Sequence, residues 1–152
     1  MASFPPQVHD TARLVTPGGG SVDIDVEMVG LVQRVWELNY STFVCCQDLG
    51  ESAGAIRNRD NHPPTYVEAG FAEYYDGFAW LKMPLDDGLD MLNRLTETSF
   101  RERVTTRWTP GSWRLHAPLI TSQVGKVMVA RAAHIHFPKT QITELTYVLR
   151  SL

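Results

Sequence analysis

Histidines are the side chains of this sequence with the clearest capacity for chemistry. Three of the five, His116, His134 and His136, are predicted on one face of a β-sheet, because apolar residues alternate with them. Imidazole nitrogen suits zinc, and two histidines two positions apart on a strand can reach one ion. These three are therefore candidate metal ligands or acid–base groups. The alternative is that a half-exposed face tolerates histidine. Because no complete ligand set stands at a recognised spacing, we expect no metal and no cofactor.

The same sheet face also has the residue types of a binding platform. An open face with an indole, cations and imidazoles can stack a base or hold a partner protein, although aromatic residues on strands are more often packed. The net charge of −3 and the pI near 5.9 argue against a nucleic-acid ligand. The predicted binding residues on this face are Trp80, Lys82, Arg114, His116, His134 and His136.

The two cysteines, Cys45 and Cys46, are adjacent and end a predicted strand, where a nucleophile can project. Neighbouring cysteines rarely meet disulfide geometry, which favours a reducing, cytoplasmic setting. Alternation along the strand predicts that Cys46 is buried and inert and that Cys45 is the better nucleophile. No residue order matches a familiar cysteine hydrolase, so catalysis is the alternative to binding.

A long segment without hydrophobic periodicity, 47–64, follows the cysteines and is predicted to be a loop. Its first residues, Gln47 and Asp48, are predicted to contribute to binding. Asp25, Asp48 and Glu51 are carboxylates that could orient a cysteine or a histidine.

Two similar stretches, 79–95 and 132–152, must position these residues. In each, a strand ends at a proline, Pro84 or Pro138, and apolar residues then recur at helical spacing. Aligning the two prolines pairs Leu81 with Ile135. We interpret the similarity as a weak duplication of a strand–proline–helix unit. The residues predicted to face the helices are Leu81, Met83, Ile135 and Phe137.

The remaining elements complete an α+β pattern. A helix with an apolar stripe is predicted from Asp25 to Asn39, and a tight hairpin turn at Asp76–Gly77. Strands are predicted at 41–46, 78–83, 112–120 and 126–137, with Leu115 on the inner face. The prediction is a two-layer α+β sandwich of pseudo-duplicated strand–strand–helix units. Its antiparallel sheet has four to six strands, with helices on one face.

The chain length of 152 residues fits one domain. Residues 1–20, rich in proline and glycine, are predicted to form a flexible arm in which Thr11–Val15 can add an edge strand. Residues 21–152 are predicted to form a single α+β domain. The sequence has no apolar run near the roughly 20 residues that span a bilayer, and no signal peptide, so we expect no membrane association and a cytoplasmic location.

Short motifs resemble those of small, mostly uncharacterised proteins of actinobacteria and their phages. The motifs are the acidic start Asp23–Asp25, the helix end Val35–Asn39, the strand end Thr42 with Cys46–Asp48, and Phe137–Pro138 before a final helix. The resemblance implies the fold and a phage or actinobacterial source, hence a host cytoplasm if the protein is phage-encoded, but no established activity. Cys45 stands where that pattern has serine.

A fainter similarity to the wybutosine-synthesis methyltransferases lies at Val44–Asp48, without the Gly-Arg that follows in that family. Chemistry based on S-adenosylmethionine is therefore not expected.

A binding or interaction protein is the function that these patterns favour. The predicted contact surface is the open sheet face plus the 47–64 segment, and the predicted partner is a protein, a host component if the source is a phage, or a small ligand. The alternatives are a Cys/His-dependent enzyme, a nucleotide- or nucleic-acid-binding protein, and an assembly protein that oligomerises through an edge strand at Pro118 or the turn near Asp76.

Overall fold

A four-stranded antiparallel sheet is the centre of the fold. The computed structural model describes residues 8–59, 70–117, 120–123 and 126–152, with the backbone alone at 55–59, 120–123 and 126–129. The strands are β1 (Thr11–Val15), β2 (Ser21–Asp25), β3 (Val44–Cys46), β4 (Phe78–Pro84), β5 (Arg114–His116), β6 (Ile120–Gln123), β7 (Lys126–Val129) and β8 (Ala132–Pro138). The α-helices are α1 (Val29–Glu37), α2 (Leu49–Arg59), α3 (Phe71–Tyr74), α4 (Leu85–Leu95), α5 (Arg101–Thr105) and α6 (Ile142–Leu149).

The main sheet has the strand order β3-β4-β8-β5, and every pair in it is antiparallel. The two long strands lie at its centre with Leu81 opposite Ile135, and three-residue strands form its two edges. Strands β1 and β2, and strands β6 and β7, form two separate hairpins. The predicted α+β class is confirmed, whereas a duplicated origin of the two strand–proline–helix units stays a prediction.

One face of the sheet packs against α1, α4 and α6 through a continuous apolar core. The four strand residues predicted to face the helices are fully buried in it, so that prediction is confirmed. The main helix residues of the core are Met28, Leu31, Val32, Val35, Met91, Leu95, Ile142, Leu145 and Leu149.

Local sequence signals explain these helices. The stripe of α1 starts after a 3₁₀ turn, Val26–Met28, and the left-handed Asn39 (φ 65°) follows the end of the helix, as predicted. Gly88 has a packing role in α4, since a Cβ atom there would lie 2.7 Å from Cβ of Ala133. The glycine therefore lets α4 approach β8 closely.

Several predictions about the connections were wrong. The predicted 47–64 loop contains helix α2, and its residues 60–64 lie outside the described part. The segment before Asp76 was open between a strand and a short helix; residues 71–74 form the helix α3, so the predicted turn, with Gly77 at φ 71°, joins a helix to β4 rather than two strands of a hairpin. The predicted 126–137 strand is two strands, β7 and β8. By contrast, the strand that Thr11–Val15 was predicted to be able to add is present as β1, which pairs with β2 along its whole length.

No helix within the described ranges is long and apolar enough to cross a membrane.

Candidate functional site

The sheet face opposite the core collects the predicted binding residues. Alternation along β4 and β8 buries every second side chain on the core side. The pairing register then places Lys82 and His116 on either side of His134. The predicted orientation of the histidines, away from the helices, is confirmed.

His136 lies on this outer face but is not open to a partner, because the segment after α3 covers it. Its ring stacks on Tyr75 with a centroid distance of 4.2 Å, and only 4% of the residue is exposed. Burial, together with the nearby His134, His116 and Arg114, lowers the pKa of His136 to about 3. A buried neutral imidazole positions its neighbours and does not contact a ligand directly.

The outer-face rings form a row. The ring of Trp80 lies 5.6 Å from that of His134 and 6.3 Å from that of His136, nearly parallel to both. Neither Nε1 of Trp80 nor Nδ1 of His136 has a hydrogen-bond partner among the described residues. The indole is therefore held by stacking rather than by a polar contact.

The three histidines do not form a compact ligand set. The rings of His116 and His134 are 6.0 Å apart, and His136 is covered by Tyr75. Burial and the adjacent Lys82 and His116 lower the pKa of His134, so its imidazole is neutral at pH 7. Metal binding at these positions stays a prediction with little geometric support.

Arg114, one of the predicted binding residues, is held in place by aromatic rings and a hydrogen bond. Its guanidinium lies 4.0 Å from the ring centres of both Tyr74 and Phe78, and it donates a hydrogen bond to the carbonyl oxygen of Tyr74. Stacking between two rings restricts the side chain before any ligand arrives. Remaining N–H donors of a guanidinium held in this way can bind a carboxylate without a further ordering cost.

A groove of about 770 Å³ opens beside this arginine and is called the β5 groove below. It is bounded by Tyr74 and Phe78 on one side and by the segment from Val104 to Leu115 on the other. Within the described part of the chain, its charged lining residues are Arg107 and Arg114, and no carboxylate lines it. Leu115, predicted to face the core, lines this groove and is 50% exposed.

Gln47 and Asp48, the predicted binding residues that follow β3, make contacts that stabilise the fold. Asp48 is 3% exposed and caps α2 by accepting the N–H of Glu51, and its other oxygen lies 2.9 Å from Nζ of Lys139. Although burial acts to raise the pKa of Asp48, these hydrogen bonds lower it overall. The side-chain oxygen of Gln47 accepts the N–H of Glu27. Both residues hold the fold together beside the sheet rather than facing the β5 groove.

The two thiols point to opposite sides of the sheet. Cys46 is buried, as predicted, whereas Cys45 lies opposite Leu81, packs against the core and is half-buried. Burial raises the pKa of Cys45 to about 12 and that of Cys46 to about 11. Neither environment stabilises a thiolate, which counts against the cysteine-enzyme alternative.

Slow thiol labelling is the expected result of this burial. The less shifted thiol, Cys46, has its pKa raised from 9.0 to about 11, which reduces the thiolate fraction at pH 8 about 100-fold. We therefore expect both cysteines of the folded protein to react with a maleimide or disulfide reagent at least about 100-fold more slowly than in denaturant. Mass spectrometry of time-quenched samples measures each site. Rapid labelling of Cys45 in the folded protein would contradict the assigned orientation.

Apart from Arg114, sequence reasoning missed the residues of the β5 groove. Trp108 is 95% exposed at its rim, and Tyr74 belongs to a segment that the sequence left open between a strand and a short helix. A tryptophan directly before the turn sequence Thr109–Pro110–Gly111 was the available signal.

Comparison of the chain with protein-family models, with curated protein sequences and with solved structures found no match. The functional argument therefore depends on the geometry of the surface itself.

Proposed function

We propose that the protein is a binding protein whose β5 groove recognises an acidic segment of a partner protein. The observation that carries the proposal is the charge of the groove: among the described residues its lining includes Arg107 and Arg114 and no carboxylate, in a chain with a net charge of −3. A local positive field on an acidic protein selects anionic partners and orients their approach.

The edge of the sheet supports an extended partner. β5 is the last strand of the main sheet, and Arg114 projects from it between two aromatic rings. An extended segment laid beside an edge strand gains backbone hydrogen bonds, while side-chain pockets give specificity. Apolar side chains of the partner would lie against the aromatic lining, and its carboxylates against the two arginines.

A nucleoside phosphate is the second candidate ligand. The 95% exposure of Trp108 beside Arg107 favours it, because a free indole face can stack a base while a guanidinium binds phosphate. The open edge of β5 favours the protein partner, because only an extended peptide can pair with the backbone of an edge strand. A phage or actinobacterial source and a host partner stay predictions.

Substitution of Arg114 tests the proposal. The probes are extended peptides that alternate glutamate with leucine, compared with peptides of the same length that carry glutamine instead. A charge-assisted hydrogen bond is worth about 1.5–3 kcal/mol, so Arg114→Ala should weaken binding of the acidic peptide by roughly 10- to 100-fold. Amide shifts in NMR spectra of the labelled protein measure both affinity and location.

The matched control is Arg150→Ala, which removes an exposed cation just after α6, on the helix side of the sheet. It should leave the affinity unchanged within about twofold, since the distant charge is screened. Equal affinity for the glutamate and glutamine peptides, or shifts that map away from the β5 groove, would reject the proposal. Binding of a mononucleotide alone would support the second candidate instead.

A further inference from the structure

Four side chains from distant parts of the chain meet beside the β3 edge of the sheet. His9 precedes β1, Asp25 ends β2, Cys46 ends β3 and Glu51 lies in the first turn of α2. Nδ1 of His9 lies 3.1 Å from a carboxylate oxygen of Asp25 and 3.9 Å from Sγ of Cys46. One ligating atom of each of these three residues lies within 4.8 Å of the other two.

These separations are close to those of a metal site. Bonds of about 2.0–2.3 Å in a tetrahedral zinc centre place neighbouring ligand atoms roughly 3.3–3.8 Å apart. The distances of 3.1 Å and 3.9 Å from Nδ1 of His9 lie just outside the two ends of that range. Small side-chain movements are therefore enough to place one ion between the three atoms.

The second nitrogen of His9 provides an independent indication. Nε2 lies 3.2 Å from a carboxylate oxygen of Glu51, on the opposite side of the ring from the other two side chains. Metal-bound histidines usually donate their free N–H to a carboxylate, which fixes the tautomer and the ring orientation. The carboxylate of Asp25 is oriented in turn by the backbone N–H of Gln47 at 2.8 Å.

Burial and charge also favour a cation here. His9 and Cys46 are each 8% exposed, and the side chain of Asp25 is 16% exposed. A carboxylate and a thiol thus share one imidazole in a mostly buried position, while the side chain of Glu51 is 56% exposed. The carboxylate of Asp25 loses hydration on burial and needs a compensating positive charge, which a divalent ion supplies.

We propose that His9, Asp25 and Cys46 bind a divalent transition-metal ion of the zinc class, with Glu51 as a positioning residue for His9. A thiolate beside an imidazole selects zinc-like ions over magnesium or calcium. On binding, the S–H bond of Cys46 breaks, its proton passes to solvent and the sulfur forms a bond to the ion, without electron transfer. Three protein ligands leave the fourth tetrahedral position for water.

Such an ion would add to the hydrogen bonds that already join three parts of the chain, among them the bond from the backbone N–H of Gln47 to Asp25. It would tie the segment before β1 and the end of the first hairpin to the edge of the main sheet. The competing explanation is a structural ion pair, in which a protonated His9 links Asp25 and Glu51 and no metal binds.

Cobalt titration distinguishes the two explanations. The full chain, stripped of metal with a chelator, is titrated with Co²⁺ and then with Zn²⁺. We expect one equivalent of Co²⁺ to produce a thiolate-to-cobalt charge-transfer band and visible bands typical of tetrahedral coordination, and Zn²⁺ to remove both. X-ray absorption of the zinc-loaded wild type should show one sulfur neighbour at about 2.3 Å and lighter neighbours at about 2.0 Å.

The adjacent cysteines provide a matched pair of variants. Cys46→Ala should lose the charge-transfer band and bind zinc at least roughly tenfold more weakly, whereas Cys45→Ala should keep both properties. The X-ray absorption measurement needs no variant, so it decides the matter even if Cys46→Ala does not fold. Absence of stoichiometric Co²⁺ binding, a zinc shell without sulfur, or a charge-transfer band that depends on Cys45 would overturn the proposal.

Discussion

Replacing Gly50 with alanine should destabilise the protein, whereas the same change at Gly54 of the same helix should not. A Cβ atom at position 50 would lie 2.5 Å from both Cα and N of Asp76 and 2.6 Å from the carbonyl oxygen of Ala72. All three are backbone atoms, so no side chain can rotate away. The whole turn after α3 would have to move.

The expected change in the free energy of unfolding follows from two opposed contributions. Overpacking of this kind costs about 3 kcal/mol, and the higher helix propensity of alanine offsets up to about 1 kcal/mol of it. We expect a net loss of about 2 kcal/mol for Gly50→Ala. At position 54 a Cβ atom would have no atom of the described residues within 4 Å, so Gly54→Ala should gain up to about 1 kcal/mol.

Urea denaturation of the two variants beside the wild type measures this difference of about 3 kcal/mol. Because α3 carries Tyr74 and is followed by Tyr75, Gly50→Ala should also disturb the contacts of these rings with Arg114 and His136. Equal stability of the two variants would show that α2 does not cross the turn at Asp76 as closely as described.

Stability should fall between about pH 6.5 and pH 4.5 because of His136. Burial, with His134, His116 and Arg114 nearby, lowers the pKa of His136 to about 3 in the folded protein, whereas an unfolded histidine titrates near 6.5. Between these values the unfolded chain binds a proton that the folded chain excludes. Acid therefore favours unfolding by about 1.4 kcal/mol per pH unit, which reaches roughly 2–3 kcal/mol at pH 4.5.

Other groups contribute separately to this loss of stability in acid. The lowered pKa of His134 acts in the same direction over the upper part of the window. The pKa of Asp48 is lowered from an unfolded value near 3.8, so its contribution is lost only below about pH 4. Between about pH 7 and pH 8 neither histidine affects the pH dependence, and stability should be nearly constant. At higher pH the raised pKa values of the two thiols favour unfolding.

His136→Phe should remove most of the dependence of stability on pH between pH 6.5 and pH 4.5. Phenylalanine keeps the stack between Tyr75 and Trp80, and it eliminates a ring nitrogen without a hydrogen-bond partner among the described residues. The control is His116→Gln on the exposed edge strand, which should retain the slope. Urea denaturation at pH 7.0, 6.0, 5.0 and 4.5 gives the comparison. A slope that persists in His136→Phe would refute the assignment of the acid loss to this residue.

The elements predicted correctly are those with strong periodicity and a clear break. The apolar stripe of α1 and the alternation before Pro84 and Pro138 each predict which side of the element faces the core. The opposite orientation would expose the apolar side chains to water. Alternation thereby also assigned Trp80 and His134 to the outer face. The alternation of a strand does not indicate which other residues of the chain cover its outer face.

Helix α2 was missed because glycines at positions 50 and 54 hide its periodicity. A capping signal was nevertheless present: Asp48 caps the helix through the N–H of Glu51, with the three-residue spacing of a capping box. The error had consequences for the site, since α2 packs against α3 and the turn that follows it, and Tyr75 of that turn covers His136 on the outer face. His9 was overlooked for a related reason, because it lies in the segment assigned to a flexible arm.

The shortness of the β5 edge limits how a docked partner can behave over time. Three residues of edge strand allow only roughly two or three ladder hydrogen bonds, each with a net value of about 0.5–1.5 kcal/mol. A single docked segment would therefore dissociate fast, and its residence would depend on the two arginines. A long-lived complex would require a partner with several acidic segments, each bound by a separate copy of this chain. A segment that dissociates would then rebind before the other segments dissociate.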